Sequence, residues 1–178
     1  RDHIAGLDEV RAFNFILNKT IDVYASAEVV TQIRAEFPYI FNTGGYLGAP
    51  RINLITITSG MFKIGDTEII AIPGLHASME VFGFRFGRLT YLTDMNYLSK
   101  NSMDMACRTE FLVINALRKS RHASHFSLDE ALKVIEAIDP QASYLTHVSH
   151  FLGRHNDMHE ILPKKVYMAF DGLNIEFP

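Results

Sequence analysis

Cysteine and long apolar stretches are scarce in this chain, and each shortage excludes a class of protein. The 178 residues contain one cysteine, Cys107, and no tryptophan. A single cysteine cannot form an intrachain disulfide framework or a cysteine-based zinc cluster, which favours a reducing compartment such as the cytoplasm. No apolar run reaches the roughly 20 residues that span a bilayer, so we expect no membrane partner.

An excess of positive charge is also missing. The chain has 17 Lys and Arg against 20 Asp and Glu, for a formal net charge of -3. That balance provides no basic field for holding the phosphates of a long nucleic acid, so we expect no such partner, and an anionic substrate needs local positive charge. The Gly-x-Ser-x-Gly pattern of serine hydrolases does not occur in the sequence.

The composition that remains is that of a folded protein. Hydrophobic residues make up 48% of the chain and charged residues 21%. A chain of this length buries a sizeable core and falls within the usual size of one domain, so residues 1–178 are predicted to form one domain.

Hydrophobic periodicity predicts helices on both sides of a sheet-forming block. A helix is expected over residues 7–19 and another after Ser26, and Ser127 opens a third with the Ser-x-x-Glu capping pattern. Short β-type runs predict strands at 21–25, 52–58, 67–72, 81–86, 89–93, 111–115, 142–146, 166–170 and 173–177. The run from 52 to 93 indicates a meander of adjacent strands, and the whole pattern predicts an α/β fold with helices packed on sheet faces.

Ligand-type side chains fall at the ends of these predicted strands. His76, Asp94 and His147 each follow a strand, and Asp2 and His3 lie just before the first helix. Imidazole nitrogen and carboxylate oxygen suit zinc, manganese or iron, and a carboxylate can bridge two ions. Because a bound divalent ion lowers the pKa of its water, and a pair of ions can hold the attacking and departing oxygens, the set predicts a hydrolytic metal site.

The same residues lie in segments that resemble a known family. Residues 2–7, Asp-His-Ile-Ala-Gly-Leu, resemble the tail of the His-x-His-x-Asp-His signature of the metallo-β-lactamase superfamily. Segments 72–76, 83–87, 89–94, 145–150 and 170–173 resemble its later motifs in the same order. Within the superfamily, the chain is most similar to the phosphodiesterases that act on the cyclic ribose phosphate of the carbon-phosphorus lyase phosphonate pathway.

The resemblance implies a four-layer αβ/βα sandwich and two divalent ions, zinc or manganese, with iron possible. It assigns His76 to the first ion, Asp2, His3 and His147 to the second, and Asp94 to a bridge between them. In the family, both histidines of His-x-His also bind the first ion, and this sequence has no such pair. We therefore expect a first site and a sheet that are incomplete in this chain, and a longer parent protein that supplies the N-terminal strands and this motif.

Four further residues are candidates. His125 stands ahead of His147 at the position where the phosphodiesterase relatives carry an active-site histidine, which implies a catalytic role as general acid or phosphate-orienting group. His122 and Arg121 share its loop and are predicted to bind phosphate, although such a loop is also typical of solvated surface. His150 is predicted to hold a metal-binding side chain in its orientation without itself binding the ion.

These residues together predict a metal-dependent hydrolase, more narrowly a phosphodiesterase that uses Asp94, His125 and a metal-bound hydroxide. The substrate and partner is expected to be a small cyclic or nucleotide-like phosphate ester, and a homodimer is left open. The alternatives are a superfamily hydrolase of thioesters, lactones or RNA 3′ ends, or a metal-free binding relative if Arg1 is the natural beginning.

Overall fold

Two compact units make up the chain, residues 1–58 and residues 59–178. The structure, a computed structural model, describes residues 3–42 and 48–176. One predicted ligand, Asp2, lies outside the described residues. No helix among the described residues is long and apolar enough to cross a membrane. The prediction of one domain over the whole chain stays a prediction.

The first unit places helices around a small parallel sheet. Its elements are a 3-10 helix Ala5–Glu9, α1 Val10–Leu17, β1 Ile21–Ala25, α2 Ala27–Glu36, α3 Pro38–Phe41 and β2 Ile52–Thr56. β1 and β2 pair in parallel, and α2 packs on β2. The predicted cap of α2 is present, because the Ser26 hydroxyl accepts a hydrogen bond from the Val29 N–H at 3.3 Å.

The second unit contains an eight-stranded sheet. Its elements are β3 Gly60–Ile64, β4 Thr67–His76, β5 Met79–Phe86, β6 Leu89–Leu92, β7 Tyr97–Leu98, α4 Lys100–Ala106, β8 Phe111–Asn115, α5 Leu128–Ile138, β9 Ala142–Thr146, α6 His155–Ile161 and β10 Val166–Met168. The strand order is β10-β9-β8-β6-β5-β4-β3, and β7 pairs with β4. β3 to β6 form an antiparallel meander, whereas β6, β8, β9 and β10 run parallel. The predicted meander was wrong in its first strand, because residues 52–56 pair with β1 as β2 and β3 takes that place beside β4.

Helices pack on this sheet over a continuous apolar core. α4 contacts β4, α5 contacts β8 and α6 contacts β10. Leu112, Ile114 and Leu145 from the parallel strands are fully buried together with Ala131 of α5. The predicted α/β fold, with helices packed on sheets, is confirmed.

A glycine allows the segment after β6 to lie directly on β4. A Cβ atom at Gly74 would stand 2.8 Å from the Met95 sulfur and 3.1 Å from the Tyr97 carbonyl oxygen. Any larger residue would push this segment away from β4. Because the segment follows Asp94 and β4 ends at His76, the close approach brings two predicted ligands together.

Several predicted elements need correction. The strand expected at 173–177 is wrong for residues 173–176, where the chain turns and the Leu173 N–H donates to the Phe170 carbonyl at 3.0 Å. The helix expected over 7–19 is a 3-10 turn followed by α1, which ends where Asn18 is left-handed, with φ 46°. β3, β7 and α4 were not predicted. β3 begins at Gly60 and ends just before Gly65, and this pair of glycines looked like a turn.

Candidate metal centre

Four of the predicted residues converge on one carboxylate oxygen. Asp94 Oδ1 lies 2.6 Å from His125 Nε2, 3.4 Å from His147 Nε2 and 3.9 Å from His76 Nε2. Their side chains are between 12% and 33% exposed, so the cluster is partly buried and still open to a small ligand. We call His76, Asp94, His125 and His147 the Asp94 cluster.

The strand pattern explains why these residues meet. β6, β8 and β9 are parallel, so their carboxyl ends share one edge of the sheet, and Asp94 and His147 lie just beyond β6 and β9. His76 ends β4. Asp94 and His147 both have left-handed backbones, with φ of 62° and 52°. A non-glycine residue pays a conformational cost in this region, and such residues cluster at functional sites.

His125 makes the closest contact in the cluster. Its neutral ring, with the proton on Nε2, donates to Asp94 Oδ1, and Nδ1 accepts from the Ser124 hydroxyl at 2.8 Å. The ring stacks on His147, with centroids 4.8 Å apart and an interplanar angle of 15°. Burial lowers the pKa of His125, and the positive charges of His147 and His76 lower it further, whereas Asp94 acts in the opposite direction. The net shift favours the neutral ring.

The donor set fits a divalent transition metal. Ligand atoms of His76, Asp94 and His125 all lie within 4.8 Å of one another. Zinc binds imidazole nitrogen at about 2.0 Å, so two ligands of one tetrahedral ion stand about 3.3 Å apart. The distances from Asp94 to His147 and His76 are close to this spacing, whereas 2.6 Å to His125 is a hydrogen bond. The geometry therefore favours His76 and His147 as ligands beside Asp94, and His125 as their neighbour.

The other predicted site residues have different surroundings. His122 Nδ1 lies 3.1 Å from His125 Nδ1, at the edge of the cluster. Arg121 is 89% exposed and its Nε lies 3.5 Å from Glu130 Oε1. His150 is exposed and its ring packs on Phe151, with centroids 3.9 Å apart. His3 belongs to the first unit, and its role as a ligand stays a prediction, as does that of Asp2.

Two asparagines that the sequence did not single out organise the centre. Asn115, which ends β8, hydrogen-bonds both backbone polar groups of Met95, the residue after Asp94. Asn96 Oδ1 accepts from the Ala77 N–H, and its amide donates to the Ala123 carbonyl, both at 3.0 Å. Asn96 thereby links the turn after His76 to the loop that carries His125. Their position at strand ends beside Asp94 was the available signal.

A family comparison agrees with this arrangement. A model described as a Beta-lactamase superfamily domain matches residues 1–148. The chain belongs to the β-lactamase superfamily. Its fold family is hydrolytic and metal-dependent, and the resemblance seen in the sequence motifs is confirmed.

Individual proteins similar to this chain give the comparison more detail. A diphosphatase of the PhnP family superposes with a TM-score of 0.86 at 30% identity, over 97% of this chain and 66% of that one. The metallo-β-lactamase-fold protein YhfI of Bacillus subtilis, with a TM-score of 0.75, 17% identity and coverage of 97% and 71%, supports the fold alone. A protein of Porphyromonas gingivalis named octanoyltransferase is 30% identical over 174 residues. That match covers 97% of this chain and 35% of the relative, so the chain spans about a third of the relative's length.

Proposed function

We propose that this chain belongs to a metal-dependent hydrolase that attacks phosphorus in a small phosphodiester or diphosphate. The observation that carries the proposal is the Asp94 cluster, in a chain 30% identical to a PhnP-family diphosphatase. Two imidazole nitrogens at 3.4 and 3.9 Å from one carboxylate oxygen suit divalent ions better than they suit a structural hydrogen-bond network.

His76, Asp94 and His147 would hold the metal, and Asp2 and His3 are proposed to complete the set. We propose two ions, zinc or manganese, with iron as the third choice, because nitrogen and carboxylate ligands serve all three. When bound, divalent ions lower the pKa of water and neutralise charge on the phosphoryl oxygens.

His125 is proposed to act on the substrate rather than to bind the metal. Its Nε2–H points at Asp94 within the cluster, and the contacts of Nδ1 with Ser124 and His122 fix the orientation of the ring. The neutral ring has one N–H, on Nε2, so it can orient a phosphate oxygen only when this N–H turns from Asp94 to the substrate. The general-acid role needs a protonated ring, which passes its Nε2 proton to the leaving alkoxide oxygen.

Other predicted residues fit supporting roles. His122 lies next to His125 and is proposed to contact the phosphate, with Arg121 supplying positive charge at the rim. His150 is proposed to support the ligand loop after β9. A small-molecule phosphate ester in the cytoplasm remains the proposed substrate, and a homodimer remains the proposed assembly.

Hydrolysis of bis(p-nitrophenyl) phosphate and of uridine diphosphate, with and without added manganese or zinc, tests the proposal. The assay should compare this chain with a longer form that carries a His-x-His motif added ahead of Arg1. We expect metal-dependent turnover in the longer form that His147→Ala abolishes, together with loss of bound metal measured by elemental analysis. His159→Ala is the matched control, because His159 is an exposed histidine of α6. Turnover that survives both chelation and His147→Ala would overturn the proposal.

A thioester hydrolase is the second candidate, and the named octanoyltransferase relative favours it. Two thirds of that protein lie outside the match, so its name need not describe the matched region. Octanoyl-N-acetylcysteamine added as a third substrate separates the candidates. Faster cleavage of this thioester than of either phosphate substrate would favour the second.

A further inference from the structure

A second cavity lies in the same unit as the Asp94 cluster, at the opposite end of the parallel strands. It has a volume of about 350 Å³ and lies between the end of α5, the start of β9 and the segment before β10. This volume falls within the range of small-molecule sites. Ile135, Pro140 and Val166 supply an apolar lining and are themselves buried.

The cavity contains a polar group that the protein leaves unsatisfied. Ser143, the second residue of β9, lines the cavity and is fully buried. Its hydroxyl is the one buried side-chain oxygen or nitrogen among the described residues without a hydrogen-bond partner. A buried hydroxyl without a partner is costly, and such groups in native proteins call for an explanation. Because Ser143 has no accessible surface, a ligand would satisfy its hydroxyl only by displacing the side chains that cover it.

Charges of both signs surround the opening. Besides Lys133 of α5, the charged lining residues are Glu136 and Asp139, from the last turn and cap of α5, and Lys164 and Lys165, from the segment before β10. All four are exposed, and within the described part of the chain none of their side chains forms an ion pair. Carboxylates on one side favour an ammonium group, and lysines on the other favour a carboxylate.

We propose that this cavity binds a small zwitterion with an apolar body, such as an apolar amino acid. Its apolar part would fill the space beside Ile135 and Val166, its charged groups would lie between Glu136 and Lys164, and a polar atom would hydrogen-bond the Ser143 hydroxyl. This site is separate from the Asp94 cluster: β9 runs from Ser143, near the cavity, to Thr146, next to His147. The inference does not depend on the proposed phosphate chemistry.

Titration of the 15N-labelled full chain with L-leucine tests the site, with amide resonances of Ser143 and Val166 as reporters. We expect saturable shifts at these residues with a dissociation constant of about 1 mM, as befits a ligand of so few atoms. Two probes that each lack one charge serve as controls, 4-methylpentanoate and 3-methylbutylamine. Each should bind several-fold more weakly than leucine.

Variants assign the contacts. Ser143→Ala should weaken leucine binding about 2- to 10-fold, which corresponds to the loss of one hydrogen bond. Glu136→Gln should weaken leucine and the amine but leave 4-methylpentanoate unchanged, and Lys164→Gln should do the reverse for the two analogues. Asp66→Asn, an exposed carboxylate between β3 and β4, is the matched control.

Two results would overturn the inference. One is the absence of saturable shifts at Ser143 and Val166 up to tens of millimolar leucine. The other is equal binding of leucine and both analogues, which would mean that the cavity binds apolar groups and does not discriminate between charged groups. A well-dispersed spectrum of each variant shows that it is folded, so a loss of binding is then a property of the site.

Discussion

Asn115 binds Met95 through both backbone polar groups of that residue. The Met95 N–H donates to Asn115 Oδ1 at 3.1 Å, and the Asn115 amide donates to the Met95 carbonyl at 3.0 Å. Asn115 is fully buried, so neither bond competes with water. The pair fixes the chain immediately after Asp94, whose left-handed backbone would otherwise relax.

Replacing Asn115 should therefore weaken both the fold and the centre. We expect Asn115→Ala to lower the free energy of unfolding by about 2 kcal/mol, because the Met95 N–H loses its partner and the Met95 carbonyl keeps only the Phe126 N–H. Binding of manganese, measured by titration calorimetry on the folded variant, should weaken at the same time. Asn101→Ala, an exposed asparagine of α4, should change neither quantity. Unchanged metal affinity in Asn115→Ala would show that Asn115 acts on stability alone.

Glu130 should make part of the stability depend on pH. Burial raises the pKa of Glu130, but hydrogen bonds from the Ser127 N–H and hydroxyl, with the charges of Arg121 and Lys133, outweigh it and lower the pKa overall. A carboxyl group whose pKa is lowered by folding stabilises above its unfolded pKa, and this contribution is lost as pH falls through the folded value.

Glu130→Gln tests this dependence in urea unfolding experiments. The variant should be less stable than the parent by about 1 kcal/mol at pH 7, since it weakens the capping box of α5. The difference should shrink as pH falls below the ordinary glutamate pKa of about 4.3 and then through the lowered pKa of folded Glu130, where the glutamate of the parent becomes protonated. A difference that stays constant down to pH 3 would contradict the assignment.

His125→Ala tests whether His125 acts on the substrate or binds the metal. If His125 protonates the leaving group, the variant in the form extended by a His-x-His motif should lose about a hundredfold to ten-thousandfold in turnover of an alkyl phosphodiester and keep its metal. Bis(p-nitrophenyl) phosphate should be partly spared, because nitrophenolate departs without protonation. Equal losses on both substrates would favour the orienting role, and loss of metal would make His125 a ligand.

Ser143→Ala should increase stability in the absence of ligand. Removing the hydroxyl removes a buried group that has no partner, so we expect the free energy of unfolding to rise by about 1 kcal/mol. Urea unfolding measures the change, and Ser149→Ala is the contrasting variant, because the Ser149 hydroxyl donates to the Leu117 carbonyl at 2.8 Å. That variant should lose stability instead. A destabilised Ser143→Ala would mean that the hydroxyl already has a partner.

The parts predicted well from sequence were those set by short-range pattern. β1, β8 and β9 were expected at their observed bounds, and α5 was found from its capping box. His76, Asp94, His125 and His147 were chosen from strand ends and motif likeness, and the structure brings them together.

What the sequence did not reveal depends on contacts between distant residues. Asn96 and Asn115 became visible only when β4, β6 and β8 were side by side, because their partners are between 19 and 27 positions away. The cavity at Ser143 has the same origin, since helix, strand and loop meet there. The strand expected at 173–176 had apolar residues but found no neighbouring strand, and pairing decides whether such a segment becomes a strand.

The division of the large sheet into an antiparallel and a parallel half has a consequence for the order of assembly. β3 to β6 follow one another along the chain and can pair early, whereas β8 and β9 must be brought in across longer connections, which is slower. His76 and Asp94 belong to the early half and His147 to the late half. A cation that requires all three residues would therefore bind only after the last strands have joined the sheet. Metal binding would then indicate that folding is complete, and it would stabilise the folded state relative to every partly folded one.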